Sequence, residues 1–162
     1  MPLLADIERA AGALLVGHAP ASVLNETTSE EELREAQAEG RLWVALAGDT
    51  PVGFAHVEIL GSRTAHLEEM DVHPDHGRRG LGRRLVGVVC EWAASRGYRE
   101  VTLTTFRDVP WNMPFYARFG FHEVATQELG ADLVAVVDDE RRRGLDPARR
   151  VVMRRRIAGG RP

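Results

Sequence analysis

The sequence has no lysine; all 21 of its basic residues are arginine. That excludes a nucleotide P-loop, whose glycine-rich turn needs a lysine to reach the phosphates. There is one cysteine, Cys90, so no intramolecular disulfide can form and the chain suits a reducing compartment. Cys90 lies in an apolar helical run, where a packing thiol is expected rather than a nucleophile. Long hydrophobic runs are also missing. The apolar stretch Ala10–Val16 is too short to span a bilayer, and it follows Asp6 and Glu8 without the basic cluster of a secretion signal. No internal repeat or low-complexity tract is visible. A net charge of −3 gives no reason to expect nucleic-acid binding, although arginines gather toward the C-terminus. The expectation is one domain over residues 1–162 with a frayed tail at 158–162, soluble and cytoplasmic, with neither membrane nor nucleic acid as partner.

What is present alternates between helical and strand patterns. Residues 3–16 place Leu3, Leu4, Ile7, Ala10, Ala11, Leu14 and Leu15 at helical intervals, with Gly17 as a stop. Residues 18–28 read as a loop, and Ser29-x-x-Glu32 is a capping box opening a second helix that ends near Gly40. Leu42–Leu46 and Val52–Ile59 read as an antiparallel hairpin around Gly48-Asp49-Thr50-Pro51. A third strand covers 66–72, a helix runs from Gly80 to Arg96 with Gly97 as its stop, and Arg99–Phe106 is a fourth strand. This strand-helix-strand unit implies a right-handed crossover and a parallel pair. Pro114 fits the first turn of a short helix. A strand from Phe121 to about Thr126, a helix over 131–143 ending at Gly144, and a last strand at 150–154 complete the pattern.

Residues 66–85 carry most of the chemical information. Leu67 and Met70 are three apart, which breaks strict alternation and predicts a bulge near Glu69. Pro74 ends regular pairing because it has no N–H to donate. Gly80 and Gly82 then open the helix amid Arg78, Arg79, Arg83 and Arg84. Free N–H groups at a helix start, glycines that admit a ligand to the backbone, and local positive charge together suit a diphosphate. The other reading is a glycine-rich turn with a solvated basic rim. A dinucleotide-binding GxGxxG does not fit, since seven residues separate Val72 from Gly80 and Leu85 stands where the third glycine belongs.

These residues resemble the acetyl-CoA motif of the GNAT superfamily of N-acyltransferases, in which a strand ending in a Val-x-Pro step leads to Q/R-x-x-G-x-G/A at the mouth of a long helix. Arg78-Arg79-Gly80-Leu81-Gly82 supplies most of it; Gly77 occupies the Gln-or-Arg position, which puts one contact to the diphosphate in question, with Arg78 as candidate substitute. Asp108–Phe121 is similar to the family's N-x-x-x-F/L-Y-x-x-x-G-F segment in compact form, with Asn112, Phe115, Tyr116, Gly120 and Phe121 in matching places. The resemblance implies an α/β (α+β) fold: a mixed, mostly antiparallel central sheet with a splayed parallel strand pair and flanking helices. The helix at 131–143 would be an elaboration near the acceptor pocket.

The resemblance further implies acetyl-CoA as co-substrate and a primary amine of a small molecule as acceptor. Met70, Asp71 and Val72 would pair with the pantetheine amides, and Arg78, Arg79, Gly80, Leu81, Gly82 and Arg83 would hold the diphosphate. Asn112 would bond the arm, and a backbone N–H near Met70 or Val72 would polarise the thioester carbonyl. A positioned phenol can protonate the departing thiolate, which makes Tyr116 the candidate general acid. The base stays open: Glu68 is the first choice and His66 the second, with Glu69 beside them on the same strand. The six histidines show no metal spacing, so no metal is expected. Two alternatives are a non-catalytic acyl-CoA-binding module and a protein N-acetyltransferase. A homodimer is one option for assembly.

Overall fold

A computed structural model describes residues 2–24 and 26–157 of the protein. The tail expected to fray at 158–162 lies outside the described residues. Six strands form one sheet: β1 (Leu42–Ala47), β2 (Thr50–Leu60), β3 (Thr64–Val72), β4 (Glu100–Phe106), β5 (His122–Val124) and β6 (Arg150–Arg156), in the order β1-β2-β3-β4-β6-β5. Every neighbouring pair is antiparallel except β3 with β4, as the expected mixed architecture requires. The β1–β2 hairpin turns tightly at Gly48, whose φ of 61° lies in the left-handed region that glycine enters without steric cost.

The phase of β3 decides what each side of the sheet carries. His56 faces Glu69 while Val57 faces Leu67, so Glu68 is an extra residue on β3. This is the bulge that the Leu67–Met70 spacing predicts. It puts Leu67, Met70 and Val72 on one face, in the core with Ala55, Val57, Leu103 and Met153. Glu69 and Asp71 go to the opposite face, beside His56 and Phe54. Without the extra residue, either the acidic pair or the apolar pair would have pointed the wrong way.

Helices cover both faces. α4 (Leu81–Ser95) buries Leu85, Val86, Val89, Cys90 and Ala93 along one stripe against the first face, and α5 (Asn112–Ala117) packs beside it. On the other face α1 (Pro2–Gly12) and α3 (Glu30–Ala38) close over Phe54 with Leu4, Ile7 and Leu33. The Ser29 hydroxyl accepts from the N–H of Glu32, the cap that its sequence signature predicts. α6 (Ala131–Arg142) lays Leu133 and Val137 over Val124 and Val152.

Three boundaries differ from the sequence pattern. The first helix loses α geometry after Gly12 and finishes as a 3₁₀ turn over Ala13–Leu15. Gly12 is a poor helix former, and the carbonyl of Leu24 comes within 3.3 Å of where its Cβ would sit. The loop at 18–28 contains a one-turn helix, α2 (Ala21–Leu24), started where Pro20 accepts from Val23 and Leu24. β5 stops at Val124 because a 3₁₀ turn begins at Thr126.

β3 and β4 pair only over Thr64–His66 and Glu100–Thr102, then separate. β4 stays bound to β6 along its whole length, whereas β3, bent by its bulge, follows β2. The result is a wedge-shaped gap in the sheet.

Gly53 fixes how closely β2 approaches the far end of β3, since a Cβ there would sit 3.0 Å from the Asp71 carbonyl oxygen and 3.3 Å from Val72 Cγ2. Gly53→Ala should push the strands apart and lower stability by about 1–3 kcal/mol, the usual cost of overpacking. Urea denaturation measures this, and an unchanged midpoint would show that the close approach is not needed.

Candidate active site

The gap between β3 and β4 is the middle of a cleft of about 1830 Å³. Its walls are Leu67–Val72 of β3 and Leu103–Phe106 of β4. Because neither strand has a partner across the gap, backbone N–H and C=O groups there are free to pair with an extended ligand, as they would with another strand.

One end of the cleft is the start of α4. Arg78 has φ 61° and Gly80 φ 79°, so the chain enters the left-handed region twice in three residues. Such turns gather successive N–H groups into an anion-binding concavity, and here it leads directly into the N-terminus of a 15-residue helix. Gly80 has no Cβ to shield it. Gly82 is packed for a different reason: a Cβ there would meet Phe115 Cζ at 3.3 Å, so the glycine lets α4 and α5 approach. Gly77, Arg78, Gly80, Leu81, Gly82 and Arg83 all line the cleft. Arg79 does not; its guanidinium lies 3.3 Å from His76 Nδ1.

α5 forms the wall beside the gap. Asn112 and Tyr116 both line the cleft, one turn apart on the same helix. The Tyr116 ring is set edge-on between Phe115 and Phe121, at centroid distances of 5.0 and 5.9 Å. Burial, then the charges of Asp71 and Glu69, push the phenol well above its ordinary range. Tyr116 therefore keeps its proton at neutral pH.

The other end of the cleft is acidic. Glu68 projects from the bulge, and burial followed by the neighbouring Glu69 raises it to about 7. Glu69 and Asp71 hydrogen-bond carboxyl to carboxyl; burial moves Glu69 well up and Asp71 to about 6. Two carboxyls in such contact hold one proton between them more tightly than either would alone. His66 is almost fully buried, with Nδ1 2.8 Å from Thr102 Oγ1 and Nε2 3.7 Å from Glu68 Oε2. Burial lowers it to about 4, so its ring is neutral.

The structure thus gathers Tyr116, Glu68, His66, Met70, Asp71, Val72 and Asn112 around one opening, with the turn at 77–83 at its far end. It also adds residues that sequence reasoning missed. Glu8 of α1 faces the cleft, with both carboxylate oxygens accepting from the Thr28 N–H at 3.1 and 2.9 Å. Arg118 lies near the cradle, while Arg143 and Arg150 come from α6 and β6. Arg143 is bonded to Glu26, and Arg150 to Glu140 and Thr104. No local motif marks these four; only the helix and strand packing brings them in. Among the described residues, no group of three or more potential ligands has the arrangement of a metal site.

This geometry can be set beside known proteins. Among curated sequences, an uncharacterised N-acetyltransferase of Methanocaldococcus jannaschii is 32% identical over 91 residues, covering 52% of this chain and 40% of that protein. The chain spans less than half the length of the curated relatives it matches first. Among solved structures, the PaiA N-acetyltransferase of Thermoplasma acidophilum in complex with coenzyme A has a TM-score of 0.72 at 17% identity, covering 96% of this chain and 91% of that one. N-acetylglutamate synthase of Neisseria gonorrhoeae, complexed with coenzyme A and N-acetyl-glutamate, has a TM-score of 0.71 at 18% identity, over 97% of this chain and 32% of that one. At these identities the two structures share the fold. The sequence profile of the acetyltransferase (GNAT) family matches residues 13–121, from the end of α1 through the segment after Tyr116, and the chain belongs to that family.

Proposed function

We propose that this protein is an acetyl-CoA-dependent N-acetyltransferase that acetylates a primary amine of a small molecule. The observation that carries this reading is the gap between β3 and β4, which runs from a glycine-lined anion cradle at one end to Tyr116 and a set of carboxyls at the other. The residues present suit acetyl-CoA: the gap-facing edge of the backbone over Met70, Asp71 and Val72, an anion-binding turn over Arg78–Arg83, and Asn112 on the wall between them. Bound acetyl-CoA supplies a thioester carbonyl open to attack by an amine, with CoA as the leaving group.

The chain's own groups handle the protons. The acceptor attacks as the neutral amine, having left its ammonium proton in solvent, and Glu68, raised to about 7, accepts the proton that the nitrogen loses as the amide forms. We prefer it to His66, whose ring is tied to Thr102 and holds a proton only at acidic pH. Tyr116 keeps its phenolic proton at neutral pH and donates it to the departing sulfur. Backbone N–H groups at the free edge of β3 stabilise negative charge on the carbonyl oxygen. Lone, buried Cys90 accords with a cytoplasmic setting.

Gly82→Glu should abolish acetyl-CoA binding, because the new side chain meets Phe115, forces α5 away from the start of α4 and places a like charge beside phosphate. Calorimetry on the folded variant reads this directly, and unchanged affinity for CoA would remove the cradle from the proposal.

Tyr116→Phe preserves the ring packing but removes the proton. Turnover should fall on the order of 10²–10⁴-fold while acetyl-CoA affinity stays nearly constant. Near-normal turnover would leave thiolate protonation to water.

For Glu68, activity should be lost as pH falls through about 7, since only the ionised carboxylate accepts a proton. With a weakly basic acceptor that is neutral throughout, kcat/KM should rise with pH and level off above that point. Glu68→Gln should remove this limb of the profile; an identical limb in the variant would assign it to another group.

A further inference from the structure

The gap between β3 and β4 has a defined apex. His66 and Thr102 are the last residues to pair across these two strands before they separate. Both are deeply buried, and His66 Nδ1 lies 2.8 Å from Thr102 Oγ1. Just beyond, the bulge of β3 carries Glu68, whose Oε2 is 3.7 Å from the other ring nitrogen, Nε2. Three side chains therefore run in series, from the β4 side of the apex through the imidazole to a carboxylate that lines the cleft.

The hydroxyl decides which nitrogen carries the ring proton. His66 Nδ1 is the one side-chain or backbone partner of the Thr102 hydroxyl among the described residues. A buried hydroxyl that accepted from Nδ1–H would leave its own proton unmatched, whereas donating to Nδ1 uses it. The proton of the neutral ring is then fixed on Nε2, the nitrogen that faces Glu68. Burial keeps the ring from taking up a second one.

Glu68 has need of such a donor. The charged groups around it are Glu69 of the same strand, Glu58 of β2, and Glu140 and Arg143 of α6. The three carboxyls disfavour its ionised form, and Arg143 is already bonded to Glu26. Glu140 and Arg150, the charged groups that face the His66 ring, are bonded to each other. Among the described residues, His66 is the one basic side chain in contact with the Glu68 carboxylate.

We propose that His66 is a positioning residue for Glu68: its tautomer locked by Thr102, it presents Nε2–H to the bulge and steadies the carboxylate in the orientation and charge state that a general base needs. The inference rests on the assignment of Glu68 made above. No proton passes through the ring, because Nε2 already holds one and keeps it throughout a turnover. A small rotation of the Glu68 side chain closes 3.7 Å to a hydrogen bond, and contacts of this kind often tighten once substrate is bound.

NMR of the whole, isotope-labelled protein reads the ring and the carboxyl directly. In the wild type the ring nitrogens of His66 should report a neutral imidazole protonated at Nε2 across the neutral range. Two variants then separate the roles of the two nitrogens. His66→Gln places an amide N–H where Nε2–H was, and His66→Asn places a polar group where Nδ1 was. If the ring serves Glu68, the first variant keeps that service and the second loses it; if it only bonds Thr102, the order reverses. The Glu68 carboxyl should titrate about one pH unit higher in His66→Asn and within about half a unit of the wild type in His66→Gln, the size expected for loss of one charge-assisted hydrogen bond. Thr102→Val removes the hydroxyl at nearly constant volume. It should let the Nδ1–H form appear and raise the Glu68 titration, and it carries the test if the His66 variants do not fold. A wild-type ring protonated at Nδ1 overturns the inference. So does a Glu68 titration that stays in place in His66→Asn, or in Thr102→Val where that variant alone folds, and so does an equal shift in His66→Gln and His66→Asn. None of these readouts needs turnover. Failure to release CoA with every amine tried would count against the acetyltransferase reading alone, while the coupling of His66 to Glu68 stands or falls on the titrations.

Discussion

The site depends on one failure of strand pairing. β4 is held by β6 along its full length, β3 is held by β2, and the two part after three residue pairs. A continuous sheet would have consumed the backbone groups of Leu67–Val72 and Leu103–Phe106 in its own ladder. Because it divides, those groups border a cleft that passes from the α4–α5 side of the sheet to the α1–α6 side. A long ligand can then lie with its anionic end at one surface and its reactive end at the other. The bulge at Glu68 belongs to the same device: it bends β3 away, and it sets a carboxylate at the point where the strands diverge.

Polar groups in the second layer keep this opening in shape. Thr104, Glu140 and Arg150 form a closed set of hydrogen bonds that fastens α6 to β4 and β6, and the Arg150 guanidinium lies 4.5 Å over the Phe106 ring. Arg143 reaches from the end of α6 to Glu26 on the connection before α3. Glu8 does the same for α1 by accepting from Thr28. These contacts span more than a hundred residues of sequence in one case and twenty in another. They join the three covering elements at this end of the cleft, so the helix at 131–142 is both a structural brace and a wall of the cleft.

Charge is distributed to match this route. The arginines of the cradle suit a diphosphate, and the carboxyls at the far end raise one another through burial and proximity. Raised carboxyls that line a cleft are poised to exchange protons near neutrality. Tyr116 stands between the two regions, and burial first, then the charges of the acidic one, hold its proton in place.

By itself the sequence determined the local parts. Leu67 and Met70 announced the bulge, Ser29 and Glu32 the cap of α3, and Gly80-Leu81-Gly82 the glycine-lined turn into α4, because each rests on neighbours within a few residues. Asn112 and Tyr116 were legible for the same reason, as a short motif on one helix. Tertiary structure alone decided the rest. That the His66 ring is tied down and buried while Glu68 projects into the cleft depends on Thr102, of a strand far along the chain, which bonds the imidazole. Glu8, Glu32, Arg143 and Arg150 reach the cleft only because α1, α3, α6 and β6 pack around the split strands. Electrostatic environment is a sum over neighbours in space, and neighbours in space are what a linear pattern of residue types does not contain.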